Sequence, residues 1–195
     1  MLKQFGVMLL GITLISACAL SPQEIDVLPV IDVGENRIAR GQRVFVQVAD
    51  SRKDPSFGTR GGVYPETSFI KPRGDLALAV HNAVLGVLRR YGFDLAAAQA
   101  DRAAVTFRVD IEKIRYLSSG DPVVRHVDTE SSLNARCNSG ANRFESRYEA
   151  RLGRDVLKPP SAKENESLIN AVLSKGLQAM MSDQGLLDCL SGRAR

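Results

Sequence analysis

VTFRVDIEKIRY (105–116), HVDTESSLNARC (126–137) and RFESRYEARL (143–152) are the three stretches whose reading decides the fold. In the first, Val105, Phe107, Val109 and Ile111 alternate with Thr106, Arg108, Asp110 and Glu112. The phase then shifts to Ile114 and Tyr116, as a bulge near Lys113 would produce. In the second, Val127, Thr129, Ser131, Leu133, Ala135 and Cys137 share one face, opposite His126, Asp128, Glu130, Ser132, Asn134 and Arg136. After the turn-rich Asn138-Ser139-Gly140, Phe144, Ser146, Tyr148, Ala150 and Leu152 point inward, while Arg143, Glu145, Arg147, Glu149 and Arg151 point outward. A strict period of two means strands with one face on a core and one in water, the last two joined as an antiparallel hairpin.

Such a sheet needs a cover, and the chain supplies helices on either side of it. Upstream, Leu76, Val80, Val84, Val87, Leu88 and Tyr91 fall on one helical stripe, with Asp75 before it and Gly92 after it. Downstream, Pro159-Pro160 ends the hairpin and Ser161-Ala162-Lys163-Glu164 matches a capping box. Leu168, Ile169, Val172, Leu173, Gly176, Ala179 and Met180 then form a second stripe. Val44 to Ala49 reads as a strand apolar on both faces, followed by a connection over 50–73 broken by a short extended piece around Thr67 to Ile70. The predicted fold is α+β: strand, helix, three antiparallel strands, helix, a two-layer sandwich with its helices on one face of a largely antiparallel sheet.

Ahead of this lies an address. Lys3 precedes an apolar run, Phe5 to Ile15, which is too short for a helix to cross a bilayer and is followed by the small residues Ser16 and Ala17. The cysteine directly after them makes Ile15-Ser16-Ala17-Cys18 resemble the bacterial lipobox. The reading divides the chain into a cleaved signal (1–17), a lipidated N-terminus and tether (18–40), and one periplasmic α+β domain (41–195). The prolines in 19–40 and the lack of helical period there suit a tether, within which Ile25, Val27 and Leu28, then Val30, Ile31 and Val33, can form a short extended segment. The lipobox resemblance further implies the outer membrane, because the residue after the cysteine is Ala19 and not the aspartate that tends to retain such lipoproteins at the inner one.

The chain carries 26 Lys and Arg against 22 Asp and Glu, a net charge of +4, and has no tryptophan. Opposite charges alternate and aromatic residues are few, so nucleic acid is not an expected partner. In an oxidising compartment the remaining cysteines, Cys137 and Cys189, either pair as a disulfide or stay two separate thiols. No catalytic set emerges. His81 and His126 read as solvated, without a second ligand at metal spacing. No Gly-x-Ser-x-Gly elbow occurs, and Gly58-Thr59-Arg60-Gly61-Gly62 lacks the Lys-Ser/Thr ending of a phosphate loop. Neither an enzyme nor a cofactor is expected, apart from covalent lipid on Cys18. The 50–73 segment holds basic and aromatic side chains of the kind enriched at protein contacts, and Arg52, Arg60, Tyr64 and Phe69 are the candidate partner-contact residues.

With the lipobox, Asp50-Ser51-Arg52, Gly58-Thr59-Arg60 and Leu88-Arg89-Arg90-Tyr91-Gly92-Phe93 in this order and spacing, the chain resembles the YajG-type family of bacterial lipoproteins over nearly its whole length. The resemblance implies a small outer-membrane lipoprotein facing the periplasm with no established enzymatic activity. The expectation is a non-enzymatic domain, held to the membrane by its lipid, that binds an envelope protein or cell-wall component. The alternative is a carrier of lipid or another apolar ligand between helices and sheet, which requires a cavity lined by Val80, Val84 and Val172. An envelope hydrolase ranks last.

Overall fold

The computed structural model describes residues 20–34, 38–62, 64–95, 104–120, 124–140 and 142–193. The expected signal peptide (1–17) and Cys18 lie outside the described residues.

The long alternating stretches form β5 (Val105–Gly120), β6 (Arg125–Ser139) and β7 (Asn142–Val156), paired antiparallel in that order. The pairing steps from Ile111 opposite Leu133 to Lys113 opposite Ser132, so the bulge falls at Glu112, one residue from its predicted place. Leu76–Arg90 is α1, capped by Asp75, whose side chain accepts from Leu78 N. Its end is a Schellman turn: Phe93 N donates to Leu88 O and Gly92 N to Arg89 O, with Gly92 at φ +87°. Ala162–Met181 is α2, and its Ser161–Glu164 capping box is present in both directions.

The sheet is larger and more mixed than the periodicity suggests. Four further strands, β1 (Gln23–Asp26), β2 (Val44–Asp50), β3 (Gly58–Thr59) and β4 (Phe69–Arg73), give seven among the described residues. The order is β1-β4-β3-β5-β6-β7, with β2 also on β5. The pairs β1/β4, β2/β5 and β3/β5 are parallel. β2 is not buried on both faces: Val44 and Val46 are buried, but Gln47 is exposed. A short third helix, α3 (Gln184–Ser191), capped by Asp183 and ended by Gly192, was not expected. It lies on β6 and β7, and a disulfide joins its Cys189 to Cys137 of β6.

One continuous core unites the inner faces of β2, β5 and β6 with all three helices, around Phe107, Ile111, Leu133, Leu88, Leu173 and Leu190. No helix among the described residues is long and apolar enough to cross a membrane.

The expected tether is largely strapped to the domain. Ile25, Val27 and Ile31 are buried, while backbone N–H groups of the alternate residues meet α2. Asp26 N donates to Glu166 Oε2 (2.9 Å), Leu28 N to Asn170 Oδ1 (2.8 Å) and Val30 N to Ser174 Oγ (2.9 Å). The match is metric: four helical residues rise about 6 Å and two extended residues about 6.6 Å. A row of helix side chains thus serves the strap as a neighbouring strand would. Asn170 also donates back to Asp26 O (2.9 Å). Asn170→Ala is expected to cost about 1–2 kcal/mol for the two lost bonds, and to speed amide exchange at Leu28 while leaving Leu133 protected.

Candidate functional site

The sheet opens at one place. β6 covers one edge of β5 throughout, while the other edge is shared by β2 and β3. β2 leaves after Asp50 pairs with Ile111, a last bond running from Ser51 N to Ile111 O (2.9 Å). Pairing resumes at Tyr116, opposite Gly58. Between them, residues 112–115 have no strand opposite on this edge among the described residues. The chain from Ser51 to Phe57 arches over the gap, enclosing a cleft of about 770 Å³ between itself and β5. By strand alternation, the Ile114 backbone groups point to the same edge as those of Tyr116, into this gap.

The arch is stiff for local reasons. Arg52 forms a two-pronged ion pair with Asp50, Nε to Oδ1 and Nη2 to Oδ2, both 2.8 Å. It also donates to the carbonyls of Ser56 and Pro55 (3.3 Å each) and lies 5.0 Å from the centre of the Phe57 ring. Asp54 caps the turn by accepting from Ser56 N (2.8 Å), and that bond holds its carboxyl below the ordinary range. Phe57 is buried beneath the arch. The cleft rim carries Lys53, Lys113 and the exposed Leu117.

Of the four predicted contact residues, only Arg52 lines this cleft, and its side chain is 4% exposed and fully engaged within the arch. Arg60 is buried: Nη1 donates to Ser21 O (3.0 Å) and Nη2 to Pro160 O (3.2 Å), tying the start of β1 to the start of α2. Burial pulls its guanidinium below its ordinary pKa. The nearby Tyr116 hydroxyl is pushed up to about 12, again by burial. Tyr64 is exposed but lies outside the cleft, and Phe69 is half-buried in β4 under Lys71, 5.8 Å from the ring centre. Charge at Arg52 and Arg60 therefore builds the fold, and the accessible groups at the cleft are Lys53, Lys113 and Leu117. What the sequence hides is a missing pairing, which no residue type announces.

The outer face of β5–β7 is an ion lattice. Asp110, buried on this polar face, takes Arg108 (2.8 Å) and Arg136; Glu130, also buried, takes Arg115 (3.0 Å), Arg151 (3.0 Å) and Lys113 (3.6 Å). Burial alone would raise both carboxyls, but the surrounding cations outweigh it and hold both below the usual range. Folded pKa values lower than unfolded ones mean stability that is full above about pH 5 and is lost as pH falls through 4 and below. Urea unfolding at pH 6 and pH 3 is expected to show this loss, and Asp110→Asn to flatten it. His126, at the margin, has the opposite sign: the Asp155 hydrogen bond (2.6 Å) and the Asp128 charge raise it. No cluster of three or more His, Cys, Asp or Glu that could hold a metal occurs among the described residues.

Val80, Val84 and Val172, the residues that would line an interior ligand cavity, are fully buried, and the cleft lies elsewhere.

A family model described as uncharacterized lipoprotein matches residues 29–191. No curated protein sequence matches the chain. Among solved structures it is similar to a putative neuraminyllactose-binding hemagglutinin homolog from Helicobacter pylori. That match has 10% identity and a TM-score of 0.51, and covers 84% of this chain and 95% of that one. It is also similar to a protein from Xanthomonas campestris, at 14% identity and a TM-score of 0.46, covering 88% and 96%. At these identities the likeness is one of fold alone.

Proposed function

From the premise that this chain belongs to the YajG-type family of bacterial lipoproteins, we propose that it is a lipid-anchored, periplasm-facing protein of the outer membrane. It acts by binding an envelope partner rather than by catalysis. Lipid on Cys18 holds it at the membrane, and the cleft between the 51–59 arch and β5 is its contact surface. One observation carries the reading: a four-residue interruption in the β5 edge, kept open by a braced arch, with paired strands on either side. An exposed strand edge is a template for an extended chain, and proteins ordinarily cover such edges. A segment of about four residues from a protein partner would complete the ladder at Ile114, and Lys53 and Lys113 favour one with acidic side chains. The filled core at Val80, Val84 and Val172 weighs against an interior ligand carrier.

The test is in-cell photocrosslinking with the reactive residue placed at Lys53, Lys113 or Leu117, and at His81 of α1 as reference. A common adduct is expected from the three cleft positions and not from His81. Adducts equally frequent at His81 would remove the cleft from the proposal. Charge reversal at the exposed Lys53, which takes no part in the ion lattice, is expected to cut the adduct severalfold while leaving the melting temperature unchanged.

A further inference from the structure

We infer that one end of the domain lies directly on the lipid surface, so that the protein stands in a fixed orientation instead of swinging on a tether. The inference rests on lipidation of Cys18. Leu20 is part of the folded body: its side chain reaches Gly62, where an added Cβ would lie 3.4 Å from Leu20 Cδ1. Ser21 O is held by the buried Arg60 (3.0 Å), and β1 begins at Gln23. Only Ala19 separates Cys18 from Leu20, so two peptide steps hold the two Cα atoms at most about 7.6 Å apart. Acyl chains on that cysteine leave no room between the domain and the membrane.

The end brought down in this way is identified by the sheet register. Gln23, Ile70 and Tyr116 stand at one level, since Gln23 pairs with Ile70, Ile70 with Gly58, and Gly58 with Tyr116. Beyond that level lie the end of β5, the start of β6 and the end of β7, with Gly120 opposite Arg125 and Arg125 opposite Val156. Arg125 Nη1 reaches Gly61, beside Gly62 and Leu20, which closes the ring around the emerging chain. Four of the seven exposed large apolar side chains among the described residues gather here, Tyr64, Leu117, Val124 and Leu157, the last 79% exposed, while Leu28, Val30 and Leu78 lie elsewhere. An aromatic ring with a polar tip and isolated aliphatic side chains are what an interfacial surface uses. The disulfide and the β6–β7 turn are at the far end, away from the lipid. The proposed cleft, ending at Leu117, then opens close above the membrane.

The full-length acylated protein has no free thiol once Cys18 is lipidated and Cys137–Cys189 is bonded, so a single introduced cysteine labels uniquely. Tyr64→Cys, Leu157→Cys and, at the far end of β7, Arg143→Cys would carry an environment-sensitive fluorophore. Each is reconstituted in phosphatidylethanolamine–phosphatidylglycerol vesicles containing brominated lipid. Quenching at least threefold greater at 64 and 157 than at 143 is expected. Equal quenching at all three positions, with the protein still vesicle-bound, would overturn the fixed orientation while leaving the anchor intact. A protein that is not acylated and does not co-sediment would overturn the lipidation reading, and this inference with it. Leu157→Ser combined with Tyr64→Ser is expected to reduce quenching of a label at Val124→Cys at least twofold; no reduction also counts against the orientation.

Discussion

Cys189→Ala lowers the unfolding free energy by about 4 kcal/mol. The bridge spans a sequence separation of 52, and closing a loop of that length removes about 4 kcal/mol worth of chain entropy from the unfolded state. A second consequence follows from where it sits. α3 has eight residues, far too few to be helical alone in water, and it keeps its place through Leu186 and Leu190 against the sheet and through the bridge to β6. For a domain of this size the melting temperature is expected to fall by about 10 °C, and amide exchange in α3 to accelerate first. Equal melting temperatures for the oxidised and reduced wild-type protein would show that the bond contributes nothing.

Gly58→Ala breaks the sheet at the cleft. Gly58 has φ +131°, and a Cβ there would lie 2.1 Å from the backbone oxygen of Tyr116. That atom belongs to the strand it pairs with, so no side-chain rotation relieves the clash. The strained backbone alone costs about 1–3 kcal/mol, and separation of β3 from β5 adds to it; a total of about 3 kcal/mol or more is expected in urea unfolding, together with loss of the cleft crosslink. Gly86 supplies the contrast. It lies inside α1 with nothing within 4 Å of its would-be Cβ, and Gly86→Ala is expected to stabilise by about 1 kcal/mol. If both substitutions prove equally harmless, the β3–β5 junction is not as close as described.

Elements whose signal is local were legible in the chain: the three alternating strands, the bulge within one residue, the Asp75 cap and the Ser161–Glu164 box. α3 carried such a signal too, in Asp183 and Gly192, but its eight residues give too little periodicity to stand out. The extended run around Ile25 and Val27 was legible but its docking was not, because the groups that satisfy the strap are side chains of a helix 140 residues away. Parallel pairing of β2 with β5 leaves no turn to read. Arg52 and Arg60 were misplaced for a chemical reason: guanidinium groups usually face water, yet here Arg52 finds the Asp50 carboxylate and two carbonyls, and Arg60 the carbonyls of Ser21 and Pro160, enough for each to be taken inside.

The ladder of Glu166, Asn170 and Ser174 also sets an order of events. The strap comes early in the chain, and its partners follow some 140 residues later. Until α2 is in place, the backbone N–H groups of residues 26, 28 and 30 have only water to bond, and Arg60 has no Pro160 carbonyl to hold. If Cys18 is lipidated as proposed, acylation there meets a chain whose strap is not yet docked, and the domain closes against its anchor late in folding.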